Sequence, residues 1–184
     1  MNPTAISEHG TSQLVLIDVQ EKLCGVMEPA ALAETVKHCG ILLQAASLLE
    51  IPVICTEQYP KGLGHTLPEL AARLVQPAIE KTCFSCHDSA PFRARLHGDR
   101  NQVILAGMEA HICVLQTALQ LSHAGKQVFV VEDAVMSRKP EHKANALARL
   151  RQAGVIVTNA ESVVFEWLRV AEGDAFKQIS RLVR

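Results

Sequence analysis

The sequence predicts a three-layer α/β/α sandwich with a central, mostly parallel sheet of six strands, Rossmann-like in plan. Three observations carry that expectation. Short, near-continuous apolar runs recur along the chain, as in strands covered on both faces. Most are separated by segments of about 10 to 20 residues with apolar side chains at helical spacing, the crossovers that parallel pairing requires. At 184 residues and 48% hydrophobic content, the chain suffices for one well-cored domain and not for two.

The elements follow in order. Residues 13–19, QLVLIDV, form an apolar run ending in a carboxylate and predict a central strand. Residues 30–49 carry Leu32, Val36, Cys39, Leu42, Leu43, Ala46 and Leu49 at helical spacing, before Pro52 opens a strand over 52–56. The irregular stretch 57–66, EQYPKGLGHT, lies at a strand end, where loops commonly border sites. A short strand is expected over 78–81, a short helix over 91–96, a strand over 102–106 and a helix over 111–123 that Gly125 stops. Strands over 127–132 and 155–157 flank a helix over 141–152, and helices over 162–170 and 174–183 end the chain. The whole chain, 1–184, reads as a single domain, with residues 1–11 a loosely ordered N-terminal segment.

Composition narrows the function. A net charge of −1 with scattered basic residues gives no electrostatic footprint for nucleic acid or an anionic membrane. The first ten residues lack the basic start and apolar core of a secretory signal, and no apolar run approaches the roughly 18 to 20 residues that span a bilayer. The expected partner is therefore a small-molecule substrate. The six cysteines, Cys24, Cys39, Cys55, Cys83, Cys86 and Cys113, read as reduced thiols in a cytoplasmic protein.

The most informative stretch is residues 106–119, AGMEAHICVLQTAL, where a buried-strand pattern stops at Gly107 and a helical one opens near Cys113. A helix N-terminus favours the thiolate, the form that attacks carbon, and its N–H groups can hold an oxyanion. A buried cysteine can equally be a small packing residue. Asp18 and Lys81 also fall at strand ends, so an acid, a base and a nucleophile share the edge of the sheet where α/β proteins bind ligands.

The segments LIDVQEKL, TEQYPKGLGHT, EKTCFS and AGMEAHICVLQTAL occur in the order and spacing of the isochorismatase-like cysteine hydrolase superfamily. Within it the chain resembles the isochorismatase domain-containing proteins, and the resemblance covers nearly the whole sequence. It implies a catalytic triad of Asp18, Lys81 and Cys113. It also implies a cis peptide between Met108 and Glu109, so that the N–H groups of Glu109 and Cys113 converge on an oxyanion. In the implied chemistry Lys81 lowers the pKa of the thiol, and Asp18 accepts its proton, delivers it to the leaving group and later activates water to cleave an acyl-enzyme. Family members assemble as dimers or larger closed forms, which implies a homo-oligomer here.

The substrate-binding candidates are Tyr59 and Leu63 at the pocket mouth and His111 between the cis peptide and Cys113; the Glu109 carboxylate is read as bracing its loop. Members that cleave nicotinamide carry an Asp-x-His metal cluster after the second strand, where this chain has Glu57, Gln58 and Tyr59. Cys83, Cys86 and His87 form a C-x-x-C-H without the second ligand pair of a zinc site. No metal and no cofactor are expected. The leading reading is a metal-independent hydrolase of an amide, ester or related acyl bond. The alternatives are a non-catalytic scaffolding protein and a thiol-based redox sensor. The segment SVVFEWLRV, with Phe165 and Trp167, would either form a subunit contact or cover the sheet.

Overall fold

The computed structural model describes residues 5–184. Six strands, β1 (Ser12–Ile17), β2 (Val53–Gln58), β3 (Ile79–Lys81), β4 (Gln102–Met108), β5 (Gln127–Met136) and β6 (Ile156–Thr158), form one sheet in the order β3-β2-β1-β4-β5-β6. Every pairing is parallel. All residues of β1 and β4 are buried, which is why their sequences read as unbroken apolar runs rather than alternating ones.

Alternation survives in the choice of face. Leu14, Leu16, Ile104 and Phe129 point into one core, while Val15, Ile17, Val103 and Val130 point into the other. The first core is covered by α2 (Pro29–Leu48), α8 (Ala160–Leu168) and α9 (Gly173–Leu182); the second by α5 (Ala90–Arg95), α6 (Leu115–His123) and α7 (Pro140–Gln152). Three single-turn helices, α1 (Glu21–Cys24), α3 (Pro60–Leu63) and α4 (Pro68–Ala71), lie in segments too short to display a helical period. Pro29 opens α2, whose first free N–H groups, those of Ala30 and Ala31, donate to the Glu28 carboxylate.

Two boundaries differ from the sequence reading by more than two residues. β5 runs on to Met136, with a register shift opposite Leu105 and Gly107, because Glu132 and Asp133 interrupt its apolar pattern where the strand bulges. The helix expected over 111–123 begins as a π-helical turn, Ala110–Val114, and becomes α6 only at Leu115.

Of the N-terminal segment read as loosely ordered, residues 1–4 lie outside the described residues. From Ser7 the chain is fastened: Ser7 is fully buried, and its N–H and hydroxyl donate to Glu166 at 2.7 and 2.9 Å. Trp167 is buried on the sheet and its indole N–H donates to the Ser12 hydroxyl at 3.1 Å, so the 162–170 segment covers the sheet. No helix among the described residues is long and apolar enough to cross a membrane, and all six cysteines are unpaired.

Candidate active site

Strand order reverses between β1 and β4, and the chain leaving their carboxyl ends carries the candidate residues Asp18 and Cys113. Asp18 follows β1 directly in a left-handed conformation, φ +51°, that turns the chain out of the strand. Its fully buried carboxylate accepts the Thr56 hydroxyl at 2.7 Å on one oxygen and the Lys81 ammonium at 2.6 Å on the other. Lys81 ends β3, two strands away, so its side chain reaches Asp18 across β2. There it also donates to the Gln58 side chain at 2.8 Å and to the carbonyls of Cys83 and Phe84, both at 3.3 Å. Gln58 is itself held by Gln20, whose side-chain oxygen accepts the Gln58 N–H at 2.7 Å.

The third component comes from the other side of the switch point. The Met108–Glu109 peptide is cis, and the Glu109 carbonyl accepts the N–H groups of Ile112 and Val114 at 3.0 and 3.3 Å, closing the π-helical turn that carries Cys113. The Glu109 carboxylate is buried and engaged by Arg138, through its main-chain N–H at 2.9 Å and its Nε at 3.1 and 3.2 Å. The Cys113 thiol faces Asp18. Burial pushes its pKa up, the Asp18 charge and the hydrogen bond to that carboxylate push it further, and the opposing pull of Lys81 does not compensate. Lys81 lowers the thiol pKa as expected, but burial and the Asp18 charge outweigh it, so the net direction is up rather than down. Burial also opposes charge on Lys81, but the charges around it, Asp18 foremost, hold its pKa above the ordinary lysine value.

A cavity of about 170 Å³ opens onto Cys113 and is bounded by Leu23, Leu63, Phe84 and Ile112, with Gln58 and Glu109 as its polar members. The domain that holds this site matches a known family along most of its length. A family model described as the isochorismatase domain matches residues 12–162. The chain belongs to the isochorismatase family.

It is 40% identical over 175 residues to isochorismatase domain-containing protein 2 of Bos taurus, covering 95% of this chain and 84% of that protein. A solved structure described as the MAR1 ribonuclease of Caenorhabditis elegans superposes with a TM-score of 0.90 at 37% identity, covering 97% of this chain and 92% of that one. YcaC from Pseudomonas aeruginosa, solved with hexane-2,5-diol and covalent acrylamide, superposes with a TM-score of 0.87 at 25% identity, covering 95% of this chain and 89% of that one.

Within this isochorismatase-family frame the sequence candidates separate. Asp18, Lys81 and Cys113 are brought together, Glu109 and Leu63 line the cavity, and Met108 is buried behind it. Tyr59 is half exposed with φ +38°, which turns it onto a neighbouring groove of about 590 Å³ along β3. That groove is larger, but neither Asp18 nor Cys113 lines it. His111 is not a lining residue of the Cys113 cavity either: its Nδ1 is 2.9 Å from the Ser137 hydroxyl and its ring lies 4.7 Å from that of His142.

Glu57 accepts the N–H and hydroxyl of Thr66 at 2.7 and 2.8 Å and pairs with His65 at 3.1 Å. The C-x-x-C thiols occupy different surroundings. Cys86 is fully buried, 3.7 Å from the Thr56 hydroxyl and pushed up to about 11 by burial, while Cys83 borders the β3 groove.

Sequence reasoning missed Thr56 and Gln58, which orient Asp18 and Lys81, and Arg138, which holds Glu109. Thr56 and Gln58 are polar residues at period two near the carboxyl end of a buried parallel strand, which was the available signal. Arg138 lies 29 residues from Glu109 with no local pattern connecting them.

Proposed function

We propose that the protein is a metal-independent cysteine hydrolase that cleaves an amide, ester or related acyl bond of a small molecule through a Cys113 acyl-enzyme. The observation that carries this reading is the Asp18 carboxylate, buried, fixed by Lys81 and Thr56, and facing the Cys113 thiol. Asp18 takes the thiol proton as sulfur attacks the carbonyl carbon, so negative charge passes to the carbonyl oxygen. The N–H groups of Glu109 and Cys113 receive that oxyanion. Collapse expels the amine or alkoxide, which takes the proton from Asp18. Asp18 then draws a proton from water, whose oxygen attacks the thioester; the C–S bond breaks, the carboxylic acid leaves, and Asp18 returns its proton to the Cys113 sulfur. Lys81 keeps Asp18 oriented and offsets the charge that moves between carboxylate and sulfur.

The apolar walls of the cavity suit a compact, uncharged acyl group, and the covalent acrylamide in the Pseudomonas aeruginosa structure supports a reactive nucleophile in a protein of this fold. Unpaired cysteines suit the reducing cytoplasm, and the enzyme is read as a homo-oligomer. Ribonuclease activity, named for the Caenorhabditis elegans protein, fits less well with a net charge of −1, because RNA binding draws on phosphate contacts. The test is a panel of small amides and esters, with RNA as competitor, followed by intact-protein mass spectrometry. An acyl adduct on Cys113 that hydrolyses in wild type and is absent in Cys113→Ala supports the proposal. Full turnover by Cys113→Ala, or cleavage of RNA alone, ends it.

A further inference from the structure

A second cavity, of about 360 Å³, lies between α2, the end of β5 and the start of α7. Its apolar lining comes from Ala31, Met136 and Pro140, and two cations, Arg138 and Lys143, border it. Lys143 is half-buried, yet its ammonium makes no hydrogen bond or ion pair among the described residues. Arg138 spends its N–H and Nε on Glu109, leaving its terminal guanidinium nitrogens uncommitted.

The acids around the same cavity are mostly engaged. Both Glu28 oxygens accept N–H groups of α2, at 3.0 and 2.7 Å. One Asp133 oxygen accepts the Ala160 N–H at 2.9 Å and the other lies 3.8 Å from the His38 ring. Glu34, exposed at the rim, is the one lining carboxylate without a partner among the described residues. The Lys143 ammonium is not sealed from water, so it stays charged and open to an acceptor that a ligand brings into the cavity.

We propose that this cavity is a binding site for a small carboxylate with an apolar body, separate from the Cys113 cavity. The carboxylate bridges the Lys143 ammonium and the terminal nitrogens of Arg138, and the apolar body rests on Met136 and Pro140. Burial holds Lys143 below its ordinary pKa while Asp133 and Glu132 pull it up, so a bound carboxylate favours its charged form.

Three probes of one shape test the site: benzoate, benzamide and benzylamine, titrated into protein labelled with ¹³C at the methionine methyls. The expected result is a saturable shift of Met136 with benzoate, weaker by about tenfold or more with either other probe, as loss of a charge-assisted contact implies. Lys143→Met weakens benzoate by about the same factor while the remaining methyl signals stay in place, Lys143→Arg restores much of the binding, and Cys113→Ala leaves it unchanged. Equal binding of benzamide, preference for benzylamine, undiminished binding by Lys143→Met, or a response confined to Met108 and lost in Cys113→Ala would each overturn the assignment.

Discussion

The Lys81 ammonium lies 2.6 Å from the Asp18 carboxylate, and neither side chain has exposed surface. Removing two ions from water is costly, and the pair is retained only because its remaining hydrogen-bonding capacity is also met, by Thr56, Gln58 and two carbonyls. Lys81→Met leaves a buried carboxylate without its cation and is expected to cost about 3 to 5 kcal/mol. Adding Asp18→Asn removes the stranded charge, so the double variant should recover part of that loss in urea unfolding, although under the proposed mechanism neither variant is expected to turn over substrate. A strictly additive cycle would mean that the two groups do not interact.

The Cys113 thiol is expected to titrate above an ordinary cysteine, so the pH–rate profile of its alkylation should still be rising at pH 9. Asp18→Asn removes a negative charge facing the sulfur and moves the inflection down. Lys81→Met removes the compensating cation and moves it up. Mass-spectrometric mapping of iodoacetamide labelling reads both. An inflection well below the ordinary thiol value in wild type would contradict the burial argument.

The fold was legible because β1 and β4 bury every residue, and a strand covered on both faces writes itself as an unbroken apolar run. The far half of β5 was not, since Glu132 and Asp133 fall at its bulge and mimic a strand end. Asp18, Lys81 and Cys113 were legible from residue type, strand-end position and motif. Thr56 and Gln58 were not, because a polar residue at period two also describes a solvent-facing strand, and only the three-dimensional order puts Asp18 and Lys81 on that face. The sign of the Cys113 shift escaped for a related reason. Charges can be listed from a sequence, but the depth at which they are buried cannot.

Glu57 and His65 should give stability a pH dependence with two flanks. Burial raises the Glu57 pKa, but hydrogen bonds from Thr66 and His65 outweigh it, leaving the folded value below 4.5. Its contribution is present above about pH 4.5 and is lost as pH falls through the lower folded value. The Glu57 contact raises His65 above 6.5, so the His65 contribution is present below that pH and is lost as pH rises through the folded value. Glu57→Gln should flatten both flanks of thermal stability between pH 3 and 8, and an acid flank that is unchanged in this variant would show that another carboxylate, not Glu57, produces it.

Gly107 is where the fold and the site meet. It pairs with Ile17 in register at φ +113°, and an added Cβ would fall on the Ile17 carbonyl oxygen, with the Ile17 nitrogen close behind. Asp18 follows Ile17, and the cis peptide that leads to Cys113 follows one residue after Gly107, so any separation of β1 from β4 separates Asp18 from Cys113. Gly107→Ala is expected to cost about 2 to 6 kcal/mol from backbone strain together with crowding. Gly125 provides the control, because its φ is also positive, +85°, while nothing lies within 4 Å of an added Cβ. Gly125→Ala should therefore lose only about 1 kcal/mol and leave the Cys113 alkylation profile intact, whereas the profile of Gly107→Ala shifts toward that of an ordinary exposed thiol. Equal losses for the two variants in urea unfolding would mean that the close approach of β1 and β4 is not what demands glycine at position 107.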